Sequence, residues 1–192
     1  AYGERQINSV LVPALDEHSD AICVEYPIIR KPRGEEERNG RIDFWSISSG
    51  YSYGLEIKHS MLSIRNKSPH SLSIYRYREA YNQIEHLNAD QKKVLLSNAK
   101  GLFLGTINFL CFWMGSHDLE ELKSKGTAVN ELFNKITDPA TSPFYPQPNF
   151  QALWIPPPSI SKPAELISDK KGKTWYEIYP ALAVIGLFKK VY

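Results

Sequence analysis

The stretch GRIDFWSISSGYSYGLEIKHS, residues 40–60, decides how this chain is read. Two β-rich runs, Arg41 to Ile47 and Tyr51 to Lys58, flank a short Ser-Ser-Gly segment. Ser49-Gly50 suits a two-residue hairpin turn. With that turn, Ser48 opposes Tyr51, Ile47 opposes Ser52, Trp45 opposes Gly54, and Asp43 opposes Glu56. Opposed residues on antiparallel strands share a face, about 4.5–5.5 Å apart. Two carboxylates so close repel each other unless a cation stands between them. Lys58 falls on the same face, one pleat along. The other face takes Ile42, Phe44, Leu55 and Ile57, which suits burial, and Gly54 leaves room for a ligand. A one-residue slip would turn Asp43 away from Glu56, so the turn carries the inference.

Upstream, Ile7, Val10, Leu11, Ala14 and Leu15 have helical spacing from Glu4 to Leu15, with Pro13 expected to bend or shorten the helix. Ala21 to Ile29 reads as a strand, and KPRGEEERNG as a charged loop. Downstream, Ser63 to Ser73 is polar and loop-like. Tyr75 to Lys100 carries one long helical pattern, ended by Gly101. Leu102 to Trp113 reads as a buried strand. Ser116 to Ile136 reads as a further helix weakened by Gly126. Residues 139–163 hold eight of the thirteen prolines and are expected to be extended or irregular. The final run, WYEIYPALAVIGLFKKVY, fits strand then helix, or two strands. The order suits an α/β chain with a mixed sheet flanked by helices.

An acidic-x-Lys triplet is common. The chain has three besides Glu56-Ile57-Lys58: Asp90-Gln91-Lys92, Glu121-Leu122-Lys123 and Asp169-Lys170-Lys171. The first two lie in helical patterns, where residues two apart diverge. The third lies in a polar loop. Only Glu56 sits in a strand, where residues two apart share a face.

These residues resemble the heart of the PD-(D/E)xK nuclease superfamily: an Asp at the start of one strand and Glu-x-Lys on the next. The resemblance covers roughly residues 1 to 113 and implies a restriction-endonuclease-like core of helix, three strands, helix, strand. Residues 1–138 would form that core, and 139–192 a Pro-rich C-terminal extension packing on it. Ile42 stands where the fuller motif has Pro. The resemblance implies that Asp43 and Glu56 hold Mg²⁺, with Mn²⁺ as a substitute, helped by the backbone carbonyl of Ile57. Hard oxygen donors suit that ion. It further implies that Lys58 acts beside the attacking water and the scissile phosphate. A Glu from the first helix often joins such sites; Glu4 is the first candidate, with Glu17 and Glu25 as rivals. A Gln on the helix after the Lys strand is also usual, and Gln83 fits, although Leu87 replaces the Tyr sometimes found one turn later.

The expected function is metal-dependent phosphodiester hydrolysis, of DNA first, in defence, repair or as a toxin domain. The alternatives are an inactive nuclease-fold scaffold binding nucleic acid or protein, and an RNA-cleaving toxin domain on the same core. A net charge of +2 over 192 residues gives no global pull on nucleic acid. Locally, no Asp or Glu occurs from Ile57 to Arg78, while Arg65, Lys67, Arg76 and Arg78 are positive and Tyr75 and Tyr77 interleave. That suits a nucleic-acid backbone and its bases; a solvated loop and helix start suits the same residues equally. Lys170 to Lys173 is a weaker basic run. Cys23 and Cys111 lie in separate apolar runs and read as buried thiols. No apolar run is long enough for a membrane span. The chain is expected to be cytoplasmic, without a signal peptide; beginning at Ala1, it also fits a domain of a larger polypeptide, or a homo-oligomer.

Overall fold

The computed structural model describes residues 4–30, 36–65, 71–118, 120, 128–157, 159, 164–167 and 174–192. Helix α1 (Glu4–Glu17) contains Pro13 and leads into strand β1 (Ala21–Arg30). Strands β2 (Arg38–Ser48) and β3 (Tyr51–Ser63) follow, then helices α2 (Ser71–Glu85) and α3 (Ala89–Leu96). Strand β4 (Leu102–Ser116) precedes helix α4 (Ala128–Thr137) and strands β5 (Phe150–Trp154), β6 (Ala164–Ile167) and β7 (Thr174–Lys190). The chain is therefore α/β, with a sheet in the order β1-β2-β3-β4-β7-β5 and β6 paired to β7.

The sheet is mixed. β1 pairs with β2, and β2 with β3, antiparallel. Between β3 and β4, Ser52 N donates to Gly101 O and Ile64 N to Trp113 O. Both bonds keep one offset along the chain, as parallel strands do. Leu102 bonds with Val191 and Tyr192, while Gly105 abuts Phe188. One chain rises as the other falls, so β4 and β7 are antiparallel.

Two compact units emerge. The first comprises Ala1–Lys58, Tyr77–Asn108 and Gly186–Tyr192. Its core joins Ile28, Ile42, Leu102 and Leu104 of the sheet to Ile84 and Leu95 of α2 and α3, and to Leu87 between them. The second comprises His59–Arg76 and Phe109–Ile185, and buries Leu110, Phe112, Leu132, Ile136 and Phe144 among others. Among the described residues, no helix is long and apolar enough to cross a membrane.

Several elements differ from expectation. The helical pattern over residues 75–100 is two helices. Leu87 forms a bridge to Arg30, and Asn88 caps α3 by accepting from Gln91 N at 2.8 Å. A capping side chain and a strand-like bridge at successive residues end one helix and start another. The second of them ends at Ser97, whose φ is +51°, well before Gly101. The last element is one 17-residue strand. Its buried residues Ala181, Ala183 and Ile185 alternate with a period of two, and the strand lies within the sheet. Phe150–Trp154 forms a strand inside the proline-rich region. Of the helix expected over residues 116–136, Ser116 ends β4 instead, Glu120 and residues 128–136 are helical, and Leu119 and residues 121–127 lie outside the described residues.

Candidate metal centre

The hairpin is built by its turn. Ser49 and Gly50 both have positive φ, 53° and 78°, as a turn whose twist matches the strands requires. The register runs Ser48↔Tyr51, Ile47↔Ser52, Ser46↔Tyr53, Trp45↔Gly54 and Phe44↔Leu55. There the ladder stops, one residue short of Asp43 and Glu56.

It stops because β2 changes face. Trp45 Nε1 donates to Leu95 O at 2.8 Å, so Trp45 lies on the α3 side. Ile42 lies there too: a Cβ on Gly54 would stand 2.8 Å from Ile42 Cδ1 and 3.7 Å from Leu95 Cδ1. Residues three apart on a regular strand face opposite ways, so alternation inverts between them. The β1–β2 pairing is interrupted at the same level, between Val24↔Phe44 and Tyr26↔Ile42. Glu25, opposite Asp43 there, has φ +56°. Two expectations change accordingly. Ile42 does not share a face with Phe44. Gly54 offers no room for a ligand, because Ile42 and Leu104 close over it.

The inversion frees Asp43 from the strand's regular alternation. Its Oδ2 accepts the Ile57 N–H at 2.6 Å, taking the place of a β2 carbonyl. In an extended strand a residue's N–H and C=O point the same way, so the Ile57 carbonyl is directed toward β2 as well. Asp43, Glu56 and Ile57 thus meet where β2 and β3 part.

Glu56 is 2% exposed. Its carboxyl is raised from an ordinary 4.5 to about 8, by burial first and then by the charge of Asp43, which is also its hydrogen-bond partner. Arg30 and Lys58 pull it back down. Lys58 is therefore near enough to act on Glu56. The charge of Asp43 beside it disfavours ionisation of Glu56.

Arg30 belongs to this site, and the sequence reading missed it. Its Nη2 donates to Glu56 Oε1 and to Arg41 O. The only hint was its place at the end of a strand whose even positions, Tyr26 and Ile28, pack inward. Thr106 and Asn108 were also missed; both are 1% exposed. The constant β3–β4 offset sets Thr106 beside Glu56 and Asn108 beside Lys58. Their signal was polarity inside the apolar run of β4.

Gln83 is half-buried on α2, and its Oε1 has no hydrogen-bond partner among the described residues. Glu4 opens α1, but its side chain lies outside the described residues. Glu17 is exposed at the end of α1. Glu25 is exposed and pairs with Arg41 at 3.3 Å. Of the basic residues, Arg78 is exposed in the first unit. Arg65 is exposed in the second unit, and Arg76 there donates to His59 O. Lys67 and residues 170–173 lie outside the described residues.

Among the described residues, no three His, Cys, Asp or Glu side chains group as a cage. The donors at hand are two carboxylates and one backbone carbonyl, all hard oxygen. Their chemistry fits Mg²⁺, which keeps several waters and commonly takes only one or two carboxylates. A cation there would also offset the repulsion between Asp43 and Glu56. No family model matches the chain, and neither the curated proteins nor the solved structures compared with it hold a match.

Proposed function

We propose that the chain is a metal-dependent nuclease of the PD-(D/E)xK type, with a restriction-endonuclease-like core, acting on phosphodiester bonds of DNA. The observation that carries this reading is Asp43 in contact with the buried Glu56, with Lys58 beside them. A purely structural strand pair has no reason to set a half-buried Asp43 against a Glu56 that is 2% exposed, where the cost of burying charge is high.

Asp43 and Glu56, with the Ile57 carbonyl, would hold Mg²⁺ or Mn²⁺. When bound, that ion polarises a phosphoryl oxygen and lowers the pKa of a coordinated water. Asp43 is steadied by the Ile57 N–H, which fixes its carboxylate against β3. Lys58 presents an ammonium on the Glu56 side of the sheet. There it orients the attacking water and offsets negative charge developing on the phosphate. Gln83, with a buried oxygen that lacks a partner among the described residues, would accept a hydrogen bond from that water. Arg65, Lys67, Arg76 and Arg78 are proposed contacts to the nucleic-acid backbone; the tie from Arg76 to His59 O gives that residue a structural part as well.

A second reading has its own support. Arg30 already pairs with Glu56, and Asp43 already accepts from Ile57 N–H. A nuclease-fold scaffold without activity would be content with that closed arrangement. Incubation with supercoiled plasmid and with tRNA, each with Mg²⁺ and with EDTA, separates the readings. Cleavage of plasmid that EDTA abolishes is expected. Cleavage of tRNA alone would move the substrate to RNA, and no cleavage of either would favour the scaffold.

A further inference from the structure

Arg30 is held in place along its whole length. Its backbone bridges Leu87, between α2 and α3. Its stem lies on Gly40: a Cβ there would come within 3.2 Å of Arg30 Cδ and Nε. Its guanidinium spans Arg41 O and Glu56 Oε1. The two ion-paired side chains are 13% and 2% exposed. Arginine does not give up its proton in proteins, so a permanent positive charge is fixed against the acid pair. A divalent cation held by Asp43 and Glu56 would need the same carboxylate. Two cations on one carboxylate repel strongly at low exposure.

We propose that Arg30 is a tethered counter-cation of the Asp43–Glu56 pair, a positioning residue that orients Glu56 in the metal-free protein and competes with the divalent cation for its carboxylate. The inference rests on reading Asp43 and Glu56 as a metal site, and is independent of cleavage. On metal binding, Nη2 would give up Glu56 and keep Arg41 O. Gly40 would serve the same device by leaving space for the Arg30 stem.

The test compares the full chain with Arg30→Gln, Arg30→Lys and Gly40→Ala. Mn²⁺ affinity is measured by calorimetry at fixed pH and salt, and melting is followed in EDTA and in saturating Mn²⁺. Arg30→Gln is expected to bind Mn²⁺ more tightly, by about tenfold, as a near charge is removed. It should melt lower than wild type in EDTA, with the gap closing in Mn²⁺. Arg30→Lys, keeping the charge, should stay close to wild type in affinity. If Arg30→Gln does not fold, Gly40→Ala decides: its Cβ pushes on the Arg30 stem and should raise affinity by a smaller factor. Unchanged or weaker Mn²⁺ binding in the folded variants would overturn the proposal, even if wild type cleaves DNA. Tighter binding in the variants without any cleavage by wild type would uphold it and sink the nuclease reading. Failure of every protein to bind Mn²⁺ would overturn both.

Discussion

Lys58 and Asp43 make separable demands on the site. Lys58→Met keeps the stem and removes the charge. Lysine at neutral pH is a donor and no metal ligand, so Mn²⁺ affinity should not fall while turnover drops by about 10²–10³. Asp43→Asn keeps an oxygen that can accept from Ile57 N–H, so the parting of β2 and β3 should survive. It removes one of the two negative charges, and both cation affinity and cleavage should drop together. Calorimetry beside a plasmid-nicking assay reads the two variants. Full nicking by Lys58→Met would reduce Glu56-Ile57-Lys58 to a strand with no catalytic part. The motif and its neighbours were legible because a strand's period of two is local. Arg30 was not, because nothing in AICVEYPIIR states which acid its last residue will meet.

At the scale of elements, the hairpin and the helix break have measurable weights. Gly54 lies beneath Ile42 and Leu104, both almost fully buried. Gly54→Val should overpack that contact and destabilise the chain by about 1–3 kcal/mol, seen as a lower urea midpoint with an unchanged slope. Stability equal to wild type would mean that the space above Gly54 is open, as the sequence alone suggested. Asn88→Ala removes the cap of α3 and orphans the Gln91 N–H. The loss expected is about 1 kcal/mol, with amide exchange faster at the start of α3 than elsewhere. The helix break itself escaped the sequence reading. Leu87 continues the helical spacing well, and only its backbone pairing with Arg30, far away in sequence, takes it out of the helix.

For the whole molecule, the raised Glu56 carboxyl links stability to pH. Unfolded, the group ionises near 4.5; folded, it holds its proton to about 8. Between these values the folded state binds more protons than the unfolded one. That contribution is complete below about 4.5 and is lost as pH rises through about 8. The groups that face Glu56 are Asp43, which raises its pKa, and Arg30 and Lys58, which lower it. The metal-free protein should therefore melt lower at pH 8.5 than at pH 6, by on the order of a few degrees. Glu56→Gln should flatten the difference. An equal slope in the Gln variant would assign the pH dependence to other groups. Saturating Mn²⁺ should raise the melting point most at the higher pH, where a proton no longer competes for the carboxylates.

Local chemistry determined much of what positions the site. Positive φ at Ser49 and Gly50 follows from the residues of the turn, and the turn sets the register from Ser48↔Tyr51 to Phe44↔Leu55. The placement of Glu56 and Lys58 on one face follows from the strand period. What lies past Phe44 was decided by packing between distant segments. The interruption at Glu25 and Asp43 turns Ile42 under the α3 side, and no alternation rule within β2 contains that inversion. The final strand is a similar case: WYEIYPALAVIGLFKKVY fits more than one element by itself. It became one strand because β4, also rich in apolar residues, offers its N–H and C=O groups along that side, and buried backbone groups must find partners. The meeting of Arg30 with Glu56 is decided in the same way. It requires β1, β2 and β3 to be laid side by side, so it exists only once the sheet does.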